Sequence, residues 1–394
     1  MLVQAGEFVQ GGRTVGRLDD GRVVFLDGLF PGEVAQIRIT EEKKDYCAAV
    51  PLEIVERSLD RRISPCPYSC ECGGCPWIEL EYAAQVKAKE KLLGKLFEDC
   101  VGLEFLESEI CPDEFHYRSR ARFQYRIRNG KARLGFCAEK SNSAVGIDSC
   151  IVADEALNGF IKEPPHMNAW ELKDMELPCI TTDAGVLYGN GIGWITINGH
   201  RLPVSNSVFF QSNLKLMPLL IDYVVANVKG DRVMDLYSGV GTFSAYLEDK
   251  YDVTAVEMNK HCLDLAMRHL SRTSFFTASV EKWNPQRRGV DTVIVDPPRV
   301  GLAKEVPSMI ASWNPSRIVY VSCCAPTLHR DVLRLSELGY RPISIKMFDF
   351  YPQTAHVETV VLLRGAKTDS HISVDLDVEK LCLKTVKNSK VISR

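Results

Sequence analysis

Hydrophobic patterning along the chain changes texture three times. Over residues 1–58, short β-branched runs such as VVFLDGL and VAQIRIT are cut by Gly11-Gly12, Asp20-Gly21 and Pro31-Gly32, and no helical period is present. Short strands joined by turns are predicted here, forming either a small β-barrel or part of a sandwich. Residues 59–76 read as a cysteine-rich loop. From Glu81 to about Glu98, AAQVKAKEKLLGKLF has helical spacing, with Leu92, Leu93 and Leu96 on one face. Residues 101–205 return to short strands and polar turns, a second β-rich module. From about Val208 onward, the apolar runs RVMDLY, DVTAVEM, DTVIVDPP and RIVYVSCC alternate with helical stretches, among them Lys260 to Leu270 and Thr327 to Leu338. That alternation predicts a parallel sheet with helices on both faces. The expected division is therefore 1–58, 59–205, 206–365 and a polar tail, 366–394, whose pattern assigns neither fold nor role.

Composition narrows the function classes. The chain has 394 residues, 45% hydrophobic and 25% charged, which excludes fibrous, coiled-coil and wholly disordered classes. Lys plus Arg total 48 against 51 Asp plus Glu, a net charge of -3, so any nucleic-acid contact must come from a local patch. No apolar run approaches the roughly 18 residues of a membrane span, and the first residues lack a secretory pattern. A cytoplasmic, monomeric protein without a membrane partner is expected. Four of the 14 cysteines fall between Cys66 and Cys75, which suggests a metal or cluster site rather than a disulfide framework.

Six motifs carry candidate chemistry. Asp235-Leu-Tyr237-Ser-Gly239-Val-Gly241 follows the first strand of the α/β region, where glycines let the backbone turn against a ligand. Glu257 ends the next strand, where an acid suits a ribose diol. Ser244 stands where a dinucleotide fingerprint would place its third glycine, so the run looks like the D-x-x-x-G-x-G of S-adenosylmethionine methyltransferases. Asp296-Pro-Pro-Arg299 and Val321-Ser-Cys323-Cys324 each end a strand, and such ends face the ligand crevice of an open α/β sheet. His356 and Glu358 precede the last strand. Taken singly, the first segment reads equally well as a turn, the second better as a buried thiol and the third better as a solvated loop; the edge that the thiol shares with Gly239 and Asp296 favours a site there. Cys66-x5-Cys72-x2-Cys75, with Cys70 inserted, offers soft ligands to zinc or to an iron–sulfur cluster. A Cys-x3-Cys-x2-Cys reading fails, because residue 73 is glycine. Finally, Arg118, Arg120, Arg122, Arg126 and Arg128 alternate with Tyr117, Phe123 and Tyr125, and a strand there would put five arginines on one face, able to track a phosphate backbone.

Together these residues resemble the RNA (uracil-5-)-methyltransferase family, in the family's order, up to about Leu363. Residues 1–58, with Gly16, Pro31, Gly32 and Glu33, are similar to its TRAM domain, an OB-like RNA-binding β-barrel. The resemblance implies a Rossmann-like α/β methyltransferase domain, a β-rich central domain and a [4Fe-4S] cluster on Cys66, Cys72, Cys75 and Cys150, with Gln85 following. It also implies S-adenosylmethionine contacts from Gln211, Tyr237, Gly239, Gly241, Glu257 and Asp296. Cys323 falls on the family's nucleophile and Glu358 on its general base. Two departures are Cys324-Ala325 where the family usually has asparagine and proline, and the extra Cys70. The implied substrate is a uridine in RNA, ribosomal RNA ahead of transfer RNA. Rival readings are a non-catalytic, metal-stabilised RNA-binding protein and an RNA cytosine-5 methyltransferase, whose Thr-Cys context is absent.

Overall fold

The computed structural model describes residues 1–128, 131–139, 141, 143–167, 175–283 and 289–365, so the tail 366–394 lies outside the described residues. Strands β1 (Leu2–Gln4), β2 (Thr14–Arg17), β3 (Val23–Leu26), β4 (Val34–Glu42) and β5 (Tyr46–Glu56) form one sheet in the order β1-β4-β5-β3-β2. Gly6 N–H donates to Val15 O at 2.8 Å, which draws the two edges together around Val24, Leu26 and Ala35. The barrel is thus the alternative adopted. Gly16 permits this approach, since a Cβ there would meet Val3 Cγ1 at 2.8 Å and Gln4 O at 2.9 Å. The fully buried Glu33 ties the barrel to the following loop by accepting from Phe30 N, Ser58 N and the Arg61 guanidinium. Burial alone would raise its pKa, but these donors hold the carboxyl below its usual range.

Helix α1 (Tyr82–Leu96) and β6 (Glu104–Phe105) follow the cysteine loop. Strands β7 (Arg120–Arg128), β8 (Lys131–Cys137), β9 (Ala144–Gly146), β10 (Glu176–Thr182) and β11 (Gly185–Tyr188) form an antiparallel sheet in the order β11-β10-β7-β8-β9. Helix α2 (Glu155–Lys162), capped by Asp154, packs Leu157 and Ile161 onto Phe123, Tyr125 and Leu134. A hairpin of β12 (Gly193–Ile197) and β13 (His200–Val204) leads into the α/β region.

That region comprises α3 (Met217–Ala226), β14 (Arg232–Leu236), β15 (Asp252–Glu257), α4 (Lys260–Ala266), β16 (Ser274–Thr277), β17 (Thr292–Val295), α5 (Val306–Trp313), β18 (Arg317–Ser322), α6 (Ala325–Glu337), β19 (Tyr340–Phe348) and β20 (Glu358–Gly365). The sheet runs β16-β15-β14-β17-β18-β20-β19-β6. The first five strands are parallel, as the alternation predicts. The rest differs from expectation: β20 inserts antiparallel between β18 and β19. The connection from β19 to β20 is too short for a parallel crossover, so the chain must reverse. Strand β6, from the cysteine-proximal part of the chain, adds a parallel edge to β19.

Helix α1 is shared between two cores. Leu93 and Phe97 join Leu328 and Leu335 of α6, whereas Leu92 packs with Phe30, Trp77 and Leu80. Its opposite side is polar yet buried. Lys89 Nζ meets Asp349 Oδ1 at 2.6 Å with both side chains fully buried, and donates to Tyr351 O at 3.1 Å. Tyr82 Oη donates to the other Asp349 oxygen at 2.9 Å. Gln85 Nε2 donates to Gln353 Oε1 at 2.9 Å, and Gln353 N–H returns to Gln85 Oε1 at 2.8 Å. Removing one member of such a pair strands a buried charge, so Lys89→Met should destabilise the protein by about 3–5 kcal/mol, and Lys89→Met with Asp349→Leu by distinctly less. Urea unfolding midpoints of the single and double variants check this; equal losses would show that the pair's charge is not what matters.

Candidate active site

Strand β14 sits where the strand order reverses, with β15 on one side and β17 on the other, so its carboxyl end opens into a crevice. The chain leaves it through Tyr237 (φ 60), Gly239 (φ 56) and Gly241 (φ 78). A Cβ on Gly241 would strike Leu270 Cδ1 at 2.6 Å, whereas one on Gly239 would project into open space. The second glycine therefore serves close packing, and the first serves the left-handed turn beside the cavity. Asp235 is fully buried and accepts from Ser244 Oγ at 2.6 Å. Its Oδ1 has no partner, and burial pushes its pKa up to about 6. At the end of β15, Glu257 accepts from Gly239 N at 3.1 Å and from Asn259 N at 2.7 Å. Tyr237 Oη donates to Glu281 Oε1 at 3.0 Å.

Tyr237, Gly239, Glu257 and Glu281 line a cavity of about 630 Å³ together with Gln211, Asp296, Cys323 and Glu358, and Asp235 is buried outside that lining. Gly241 lies behind it. The reversed strand explains this convergence. Because β20 is antiparallel to β18, its first residue lies at the carboxyl end of the sheet, and Ser322 pairs with Thr359. Cys323 and Glu358, one step beyond that pair, therefore meet beside Asp296 from β17. Cys324 instead caps α6, donates its N–H to Ser322 Oγ at 3.1 Å and does not line the cavity.

Acids dominate around Cys323. Burial, the neighbouring acids Glu358 and Asp296 adding to it, pushes the Cys323 thiol up to about 11, with Arg299 opposing through charge and a hydrogen bond. Burial and the Asp235 charge push Asp296 up to about 7. Glu358 is fully buried, and burial and Asp296 raise it well above the carboxylate range, against Gln211 and Arg299. Gln211 Nε2 donates to Glu358 Oε2 at 3.3 Å, while Glu358 Oε1 has no partner. His356 lines no part of the cavity, and burial lowers its pKa. Asn213, two residues past Gln211, is structural: its amide donates to Phe350 O at 3.1 Å. Several polar cavity residues carry no role that the sequence assigned, Arg299, Tyr351 and Glu281 among them. Arg299 stood in a quoted motif and Tyr351 in the segment before Glu358, whereas Glu281 had no motif around it.

A second, smaller cavity gathers Cys66, Cys72, Cys75 and Cys150 with an otherwise largely apolar lining. Burial and neighbouring thiols raise Cys75 to about 12. Cys70 is exposed and outside this lining. Among the described residues, the three candidate ligand atoms that do lie within 4.8 Å of one another belong to Asp99, Cys100 and His329, a surface group joined by the His329–Asp99 contact of 2.7 Å.

The arginine strip is not the single free face that alternation predicts. The apolar face is as expected, with Tyr117, Phe123 and Tyr125 buried. Arg118, however, precedes β7, so it leaves the alternation and lines the thiol cavity. Arg120 is half-buried, with Nη1 and Nη2 each 3.4 Å from the carbonyls of Phe210 and Asn206. Arg122 is exposed but pairs at 3.1 Å with Glu176, an acid from β10 that is distant in sequence. Arg126 bonds Tyr125 O and Gln124 Oε1. The Arg128 side chain lies outside the described residues.

Comparison with known proteins agrees with this arrangement. A family profile described as tRNA (Uracil-5-)-methyltransferase matches residues 279–366, and one described as TRAM domain matches residues 6–52. An uncharacterized RNA methyltransferase of Bdellovibrio bacteriovorus is 31% identical over 385 residues, covering 90% of this chain and 92% of its own. The 23S rRNA (uracil(1939)-C(5))-methyltransferase RlmD of Edwardsiella ictaluri is 28% identical, covering 93% of this chain and 96% of its own. The crystal structure of Pyrococcus abyssi tRNA (uracil-54, C5)-methyltransferase in complex with S-adenosyl-L-homocysteine shares the fold, with a TM-score of 0.72 at 24% identity over 92% of this chain and all of that one. Fold, cavity and likeness along almost the full length agree: the chain belongs to the RNA (uracil-5-)-methyltransferase family.

Proposed function

We propose that this protein transfers a methyl group from S-adenosylmethionine to C5 of a uridine in ribosomal RNA. The observation that carries the reading is the single cavity that holds a glycine turn, a ribose-type acid, Cys323 and Glu358. Ribosomal RNA is favoured over transfer RNA because full-length relatives are named for 23S rRNA. The residues fit the methyl donor. Asp235 Oδ1 and Ser238 Oγ are buried polar atoms without partners, and Gly239 leaves open space beside them. Bound there, S-adenosylmethionine supplies the methyl group as an electrophile.

Uracil C5 is too weak a nucleophile to take that methyl unaided. The Cys323 thiolate adds to C6, and the electron pair of the C5–C6 double bond makes C5 enolate-like, so that C5 can form the new C–CH₃ bond as the donor's S–CH₃ bond breaks, its pair staying on sulfur to leave a neutral thioether. Glu358 then takes the C5 proton; the pair of the C5–H bond restores the double bond and expels the thiolate. Arg299 beside Cys323 favours the thiolate, and Gln211 holds the carboxylate. The target base must leave its stack to reach Cys323. Phe209, a cavity-lining residue that is 70% exposed, offers a stacking surface, and Arg120, whose guanidinium reaches the carbonyl of the neighbouring Phe210, stands beside it to meet a flanking phosphate.

The four thiols of the second cavity fit a [4Fe-4S] cluster. The fit rests on the donor set: four soft thiols from two separated segments around one largely apolar cavity. The cluster would fix the loop preceding α1; the chemistry needs no electron transfer. Mapping 5-methyluridine in ribosomal and transfer RNA from cells with and without the protein tests the function. One ribosomal position should lose its mark; a lost transfer-RNA mark would redirect the substrate, and no lost mark would leave the RNA-binding reading.

The roles of Cys323 and Glu358 separate in a trapping assay. Cys323→Ala should form no adduct with 5-fluorouridine RNA, whereas Cys324→Ala should form it normally. Glu358→Gln should methylate RNA yet release it about 100-fold or more slowly, leaving methylated RNA on Cys323 as a shifted band on a denaturing gel. Trapping by His356→Ala instead would move the base to that residue. For the second cavity, protein purified without oxygen should be brown and contain iron, and Cys150→Ser should lose the colour. A colourless protein with one zinc would overturn the cluster.

A further inference from the structure

The Glu358 carboxylate faces groups from every element around it: Asp296 beyond β17, Arg299 in the following turn, Cys323 beyond β18, Gln211, and Tyr351 from the segment leading into β20. Gln211 is the one that hydrogen-bonds it, and the effect depends on which end of the amide is presented. An amide N–H favours the charged carboxylate, whereas an amide oxygen can bond only the protonated acid. Gln211 is buried, so the orientation must be set by its other neighbour.

That neighbour is Tyr351. Its Oη donates to Gln211 Oε1 at 3.1 Å, which leaves Nε2 to donate to Glu358 Oε2 at 3.3 Å. The tyrosine itself is held firmly. Its carbonyl accepts from Lys89 Nζ at 3.1 Å and from Thr354 Oγ1 at 2.9 Å, and its ring packs edge-on against His356. Among the described residues, its hydroxyl bonds no acceptor other than Gln211 Oε1. If the amide turned over, the phenol could still accept from Nε2, but its own proton would be buried without an acceptor, a costly state.

We propose that Tyr351 is a positioning residue that locks the Gln211 amide with its N–H toward Glu358 and so keeps the base in its proton-accepting form. This rests on the reading of Glu358 as the base. Tyr351→Phe removes only the hydroxyl, freeing the amide to turn its oxygen toward Glu358. The base then binds its proton more tightly, which removes the carboxylate at acidic pH but not at alkaline pH. The apparent pKa for resolution of the Cys323–RNA adduct should rise by about one unit, so resolution slows about tenfold below it and is unchanged above it.

The experiment follows decay of the denaturant-stable, methyl-labelled adduct from acidic to alkaline pH, using total RNA from cells lacking the protein. Thermal melting should match the wild type and report that the fold is kept. In a Gln211→Ala background, Tyr351→Phe should cause no additional shift, because the tyrosine acts through the amide. A packing role would instead lower the rate equally at every pH, and that result, like a profile superimposable on the wild type, overturns the proposal. If Glu358→Gln traps no adduct, the base assignment has failed; if it traps adduct while Tyr351→Phe leaves the profile in place, only the positioning role has failed.

Discussion

Lys89 and Asp349 lie 2.6 Å apart with no solvent access to either side chain, and the segment that leads to Glu358 is arranged around that contact. Two charges removed from water are tolerable only if they meet with good geometry and further hydrogen bonds. Both conditions are met: Tyr82 takes the second carboxylate oxygen, and the Tyr351 carbonyl takes another ammonium proton. The pair therefore fixes the exit of β19 against α1. The double exchange between Gln85 and Gln353, together with Trp77 N–H donating to Gln353 O at 3.0 Å, fixes the next turn. The backbone there includes Gln353 at φ 68, a conformation costly for a side-chain-bearing residue unless its surroundings impose it. The loop that delivers Glu358 is thus set by a helix more than 250 positions away in sequence, just beyond the cysteine loop. Whatever holds Cys75 in place is two residues from Trp77, and so is coupled through backbone to the loop that carries Glu358.

Much of this was legible in the residues and some could not have been. Periodicity placed the strands ending at Leu236, Glu257, Val295 and Ser322, because buried parallel strands read as continuous β-branched runs. Crevice geometry then follows from strand ends, so Tyr237, Gly239, Glu257, Asp296 and Cys323 fall on one cavity. Local pattern could not reveal the reversal of β20, since a buried run looks the same in either direction; only the short connection to β19 hints at it. Nor could it reveal β6, two exposed residues recruited to an edge. The arginines show the limit most clearly. Alternation was right for the inward face, but the outward face depended on where the strand began, which sent Arg118 to the thiols. It depended too on Glu176, brought beside Arg122 only by pairing of β10 with β7.

The cavity places more acid than base around Cys323, which is at first unfavourable for a thiolate. Asp296 and Glu358 disfavour charge on Cys323, and Asp296 disfavours it on Glu358; Arg299 opposes this at Cys323 and Glu358, and Gln211 at Glu358. Under the proposed reaction, the methyl donor enters as a cation. In its presence Cys323, Asp296 and Glu358 carry their charges at lower cost. Methyl transfer removes that positive charge. The carboxylates then return to the like-charge crowding of the empty cavity, and the proton affinity of Glu358 rises at the step where a proton on C5 must be removed. A base made strong by burial alone would already be protonated before the reaction; one whose crowding is relieved by the donor and restored by transfer is available in each step in turn. Under that proposal the excess of acids lets a single cavity serve both thiol addition and proton removal, and the amide of Gln211 would bias the one acid that has to stay free.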